Sequence, residues 1–208
     1  MNGLCTIPPM GIAIMWVICI LSLDLEARPI SYSGGSTLMV FSDNMKNSIY
    51  YHYSPTYKYS LGIEITRDKY YEKEYSYFRF TSLLDRKNTQ KSQRNLYFQS
   101  GISSEGLQHH FYGIHGDWET RRLFTGFGYR RVETDIQGYT DRFYQLGLAP
   151  YVGEYGDLHT WIMLKTKTNS ARGGWSTYPV LKFFKGDFLM ELGYSERTRW
   201  DAHLMYRF

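Results

Sequence analysis

The nine residues Trp200-Asp201-Ala202-His203-Leu204-Met205-Tyr206-Arg207-Phe208 decide how this chain is read. Trp200, Ala202, Leu204, Tyr206 and Phe208 share one parity; Asp201, His203, Met205 and Arg207 share the other. Successive side chains of a strand point to opposite faces, so this is a strand with one aromatic, apolar face and one polar face. The same test succeeds elsewhere. In 57–66, Tyr57, Tyr59, Leu61, Ile63 and Ile65 oppose Lys58, Ser60, Gly62, Glu64 and Thr66. In 158–167, Leu158, Thr160, Ile162 and Leu164 oppose His159, Trp161, Met163, Lys165 and Lys167. In 187–195, Phe188, Met190, Leu192 and Tyr194 oppose Asp187, Leu189, Glu191 and Gly193.

Composition agrees. Aromatic residues make up 18 % of the 208, and 19 Gly stand against only 5 Ala. Ala favours helices and aromatic rings favour pleated surfaces, so an all-β chain is expected. Turn signals separate the alternating runs: Asp43-Asn44, Ser54-Pro55-Thr56, Arg67-Asp68-Lys69, Asp85–Gln93, Ser103–Gly106, Asp117-Trp118-Glu119, Thr134–Asp141, Gly153–Asp157, Asn169–Gly174, Gly186-Asp187 and Ser195–Thr198. Eleven such breaks predict twelve antiparallel strands with short loops, in one domain; a count of ten also fits.

The first 27 residues read differently. Pro9–Leu23 is almost wholly apolar, too short for a comfortable membrane-spanning helix but suited to a secretory signal ending at Leu25-Glu26-Ala27. We read 1–27 as a signal peptide and 28–208 as the barrel domain. A retained anchor is the alternative, and Cys19 as a lipid attachment site is disfavoured by the bulky Ile18 before it. Both cysteines, Cys5 and Cys19, fall in this segment, so residues 28–208 offer no disulfide and no thiolate. After position 27 there are 24 basic and 18 acidic residues, an excess of +6. That excess suits an anionic surface such as lipopolysaccharide and is no nucleic-acid signature.

A soluble sandwich or lipocalin-type barrel also alternates, but the placement of rings separates the two. Tyr57, Tyr129, Tyr144, Tyr194, Trp200 and Phe208 lie on the apolar parity near strand ends, as in membrane barrels, where rings mark the two water–lipid interfaces. The opposite parity carries charges of both signs: Glu64, Arg79, Arg122, Arg130, Lys165, Lys167, Glu191, Asp201, His203 and Arg207. These are the expected lumen-lining residues. They set ion preference if the lumen is open, or plug it as ion pairs if it is not.

The final strand, ending in Phe208, resembles the closing strand of bacterial outer-membrane β-barrel proteins. The resemblance implies that Trp200, Leu204, Tyr206 and Phe208 form a signal read by the barrel-assembly machinery, and it implies a Gram-negative outer membrane as the location. The stretches Phe143–Leu164 (FYQLGLAPYVGEYGDLHTWIML) and Val180–Tyr194 (VLKFFKGDFLMELGY) are similar to an uncharacterised group of small outer-membrane proteins encoded near heavy-metal resistance genes.

Chemical motifs are sparse. His109 and His115 share a face but sit about 20 Å apart along a strand, too far to hold one ion, and Met39, Met45, Met163, Met190 and Met205 do not cluster with histidines. No metal or cofactor is expected. His52–Ser54 and Ser31–Ser33 have no recognisable catalytic partner, and Gly126-Phe127-Gly128 is not followed by a helix, so it is no phosphate loop. The sequence therefore points to a porin-like narrow channel or transport accessory for ions or small solutes. The alternatives are a structural or envelope-interaction barrel with a plugged lumen and, behind it, a lipid-modifying enzyme.

Overall fold

The computed structural model describes residues 30–154 and 156–208; the expected signal peptide lies outside them. Twelve strands follow one another: β1 (Gly35–Ser42), β2 (Lys46–Thr56), β3 (Tyr59–Asp68), β4 (Lys73–Asn88), β5 (Ser92–Ser103), β6 (Gly106–Thr120), β7 (Leu123–Glu133), β8 (Tyr139–Leu148), β9 (His159–Asn169), β10 (Trp175–Lys185), β11 (Phe188–Ser195) and β12 (Arg199–Arg207). Each pairs antiparallel with its sequence neighbours, and β1 pairs with β12, closing the barrel. The seam runs from Thr37↔Arg207 to Ser42↔Ala202. Beyond it, Ser36 N donates to Phe208 O (2.8 Å) and Phe208 N to Ser36 O (3.0 Å). Closure leaves no edge strand with unpaired backbone groups, which is what a strand protein in lipid requires.

Period-two alternation holds around the barrel. On β2 the even residues from Ser48 to Ser54 are buried, and Ile49, Tyr51 and Tyr53 are exposed. Exposed residues form an apolar outer band: Ile63, Phe78, Ile114, Leu146, Ile162, Leu164 and Leu181 toward mid-height. Rings flank it. At the rim where β1 starts and β12 ends (here the terminal rim), Tyr51 and Tyr206 stand 6.4 and 5.8 Å from Phe208. Toward the opposite rim, Tyr144 stacks with Trp175 (6.0 Å) and Tyr194 meets Trp200 (5.2 Å). An apolar band between two aromatic girdles is the exterior of a membrane barrel.

Several turns fall elsewhere than the sequence suggested. Ser54-Pro55-Thr56 belongs to β2, and the turn lies at 57–58. Pro55, lacking an N–H, sits where the register slips between Tyr53 and Thr56, a bulge that needs no ladder donor. Asp117-Trp118-Glu119 is strand, because Asp117 accepts a hydrogen bond from Asn95 Nδ2 on β5 (2.7 Å). The turn is at 121–122, where Thr120 Oγ1 accepts from Arg122 N and Leu123 N. The expected loop Asp85–Gln93 shrinks to 89–91, since β4 and β5 run on together, pinned by Arg86 Nε donating to Asn95 Oδ1 (2.8 Å). The longest connection, 149–158, lies at the terminal rim.

Candidate functional site in the lumen

The inward parity of the strands brings charges from distant parts of the sequence into a belt across the lumen. Glu64 of β3, fully buried, is its first centre. Arg79 of β4 donates through Nη1 to Glu64 Oε2 (2.9 Å) and through Nη2 to Gln99 Oε1 of β5 (2.5 Å). Arg130 of β7 and Lys46 of β2 approach Glu64 Oε1 at 3.7 and 3.9 Å. Since β7 stands four strands from β3, the Arg130 contact is a chord through the interior. Asp201 of β12 is the second centre. It accepts from Tyr178 Oη and pairs with Lys165 Nζ (2.9 Å) and Lys167 Nζ (3.5 Å) of β9. Lys167 also reaches Asp43 Oδ2 in the β1–β2 turn (2.6 Å). A second chord joins Tyr139 Oη of β8 to Asp68 Oδ2 of β3 (3.2 Å). Nearer the terminal rim, Glu191 pairs with Lys182 (3.6 Å) and faces His203 Nδ1 (3.8 Å). Bringing this many charges out of water is tolerable only because each meets a counter-charge or hydrogen-bond partner.

Between the charges lie three inward apolar clusters. Phe124, Trp161, Met163, Tyr178 and Val180 form one, Tyr75, Tyr77, Phe111, Val132 and Tyr139 another, and Met39, Tyr50, Leu189 and Met205 the third. Guanidinium groups lie on their rings, Arg79 Cζ 4.1 Å from the Tyr50 centroid and Arg130 Cζ 3.7 Å from that of Phe111.

Of the charges picked from the sequence, Glu64, Arg79, Arg130, Lys165, Lys167, Glu191, Asp201, His203 and Arg207 point inward. Arg207 stands toward the terminal rim, with Nη2 3.9 Å from Asp187 of the β10–β11 turn. Arg122 does not join them: it lies in the β6–β7 turn and donates to Pro150 O (3.2 Å), because the turn sits later than the sequence suggested. Lys46, Asp43, Asp68, Asp141 and Lys182 belong to the lumen and were not picked. Lys46 had a signal, sharing its parity with Ser48, Tyr50 and His52. Asp68 had one too, continuing the parity of Ser60, Glu64 and Thr66, while Asp43 had none beyond its turn character; Asp68 also caps the β3–β4 turn, accepting from Tyr70 N and Tyr71 N.

Burial pushes the Asp43 carboxyl up, but the charge and hydrogen bond of Lys167 outweigh it, and the group titrates below the ordinary aspartate range. A carboxyl depressed on folding adds stability above its unfolded value and loses it as pH falls through the folded one. Lys167 is expected to release the β1–β2 turn only in acid below the usual aspartate range. Amide exchange of residues 43–46 against pH checks this, and Asp43→Asn should abolish the acid limb.

Each rim holds a cleft with cations in its lining. A cleft of about 440 Å³ at the opposite rim is lined by Tyr70, Lys167, Asn169, Arg172 and Arg197, and one of about 400 Å³ at the terminal rim by Gln90, Lys91, Arg121 and Arg122. Among the described residues, no group of three or more His, Cys, Asp or Glu side chains is placed to hold a metal ion. His52 faces the lumen, fully buried, its ring 5.0 Å from Tyr50.

No protein family and no curated protein matches the chain. Among solved structures it is similar to one described as KdgM porin in complex with disordered oligogalacturonate, at 12 % identity and a TM-score of 0.50, over 84 % of this chain and 99 % of that one. At this identity the likeness is one of fold: the chain is an all-β, twelve-strand antiparallel barrel, as that structure is.

Proposed function

We propose that this protein is an integral outer-membrane barrel that passes small polar solutes or ions through a narrow, charge-lined lumen. One observation carries the reading: the barrel is inverted relative to a soluble one. Large apolar side chains cover its outer surface between ring girdles, while buried ion pairs such as Arg79–Glu64 and Lys165–Asp201 stand in its interior. The fold likeness to a porin solved with oligogalacturonate agrees with it, and the cations lining the two rim clefts favour entry of anions there. The belt itself is nearly balanced in sign, so the expected anion preference is mild.

The test is conductance of refolded residues 28–208 in a planar bilayer, with folding checked by a heat-dependent gel shift. Discrete steps are expected, and Lys165→Gln with Lys167→Gln should move the reversal potential toward cations by removing two lumen cations while Asp43 and Asp201 remain. A folded, inserted and silent barrel overturns the channel. It would favour the second reading, a lumen plugged by ion pairs, which the chords Arg130–Glu64 and Tyr139–Asp68 support.

Outer-membrane lipid, lipopolysaccharide and the barrel-assembly machinery are the partners proposed with this reading. Trp200, Leu204, Tyr206 and Phe208 line the outward face of β12, accessible to such machinery. The resemblance to proteins encoded near metal-resistance genes adds no mechanism to it.

A further inference from the structure

Two inward glycines stand directly opposite rings on the next strand: Gly101 faces Phe111 across β5–β6, and Gly128 faces Phe143 across β7–β8. A Cβ built on either glycine would overlap the ring opposite. The missing side chain is therefore what lets each ring lie flat against the wall instead of standing toward the axis. A cation lies on each ring in turn, Arg130 Cζ 3.7 Å from the Phe111 centroid and Lys165 Nζ 5.6 Å from that of Phe143. Those two cations serve the two carboxylate centres of the belt, Arg130 at Glu64 and Lys165 at Asp201. The arrangement thus has three tiers, glycine floor, ring and cation, built twice around the β5–β9 wall.

We propose that Gly101 and Gly128 set the bore and charge pattern of the lumen, by seating Phe111 and Phe143 and through them Arg130 and Lys165. This rests on the channel reading above. The glycines are positioning residues, since no solute need touch them. A methyl group at either floor lifts the ring by roughly its own thickness and pushes the cation toward the axis and away from its carboxylate.

The experiment compares the refolded wild-type barrel with Gly128→Ala, Phe143→Tyr, Phe143→Ala and the double variant Gly128→Ala/Phe143→Ala, each in a planar bilayer with a salt gradient. Gly128→Ala is expected to lower conductance about threefold and shift the reversal potential, since bore and wall charge both set permeation. Phe143→Tyr should match wild type. The double variant, with space for the methyl, should regain conductance to within about twofold of wild type. If Gly128→Ala does not fold, Phe143→Ala decides: a wider bore and a shifted reversal potential support the seating, and wild-type values overturn it. Wild-type conductance and reversal potential in a folded Gly128→Ala barrel also overturn it. A silent wild type refutes the channel, not the seating. The seating is then judged by a double-mutant cycle of Phe143→Ala and Lys165→Gln in urea unfolding. A coupling of about fivefold in the folding equilibrium, the size of a partly desolvated cation–π contact, supports it; independent effects overturn it.

Discussion

Leu164→Arg is expected to destabilise the barrel by about 2–4 kcal/mol in a bilayer, the cost of an arginine on the lipid face near mid-height. Leu164 is 54 % exposed on β9, paired with Leu146 of β8 and Pro179 of β10, with Ile162 two residues away on the same face. Its neighbours on that face, Leu146, Pro179 and Ile162, offer no carboxylate to a guanidinium, and the bilayer core offers no water, so the charge must snorkel or thin the membrane. The same substitution on a soluble barrel would leave an arginine in water and move stability within about ±0.5 kcal/mol. Tyr57→Arg, in the turn at the terminal rim, is the control and should cost about 0–1 kcal/mol because the interface is wet there. Urea titration of barrels refolded in vesicles reads both against wild type. Equal effects of Leu164→Arg and Tyr57→Arg would sink the membrane assignment and restore the soluble alternative.

The parity argument that places Leu164 outside also explains what the sequence could and could not reveal. Alternation is a local property, so the outward faces of β3, β9, β11 and β12 were legible residue by residue. The number of strands followed from the breaks between them. Turn positions were less legible, because strand ends here are fixed by partners on other strands. Asp117 looks like a turn residue until Asn95 is placed beside it, and Arg122 looks inward until Thr120 is seen to close the hairpin. The belt shows the same division. Parity says that Glu64 and Arg130 both point inward, but not that they meet, since the stagger of β3 against β7 depends on every register between them. The register shifts between Leu83 and Asp85 on β4 and between Ile102 and Ser103 on β5 lie on that path. The glycines were counted at the outset as evidence for strands. Their role as floors for Phe111 and Phe143 needs cross-strand partners that no linear reading supplies.

Glu64→Gln is expected to be the most damaging single change in the lumen. Glu64 is the one carboxylate that Arg79, Arg130 and Lys46 all approach, at 2.9, 3.7 and 3.9 Å, and its side chain is 1 % exposed. Glutamine preserves shape and one acceptor but leaves three cations facing one another. Removing one partner of a buried ion pair costs about 3–5 kcal/mol, because the remaining charge keeps its desolvation penalty and loses its compensation. A loss near 3 kcal/mol is expected here, as Arg79 keeps its bond to Gln99. The loss should be smaller when Arg130 is removed as well. Glu64→Gln/Arg130→Gln is expected to recover more than about half of it, since residues of one network are not additive. Arg122→Gln, in the turn, should stay within about 0.5 kcal/mol of wild type. If the channel conducts, Glu64→Gln also strips the belt of a negative charge and should raise anion preference, opposite in sign to the lysine replacements on β9. Additive destabilisation in the double variant would mean that Glu64 and Arg130 do not share a network, and that the chord across the lumen carries no energy.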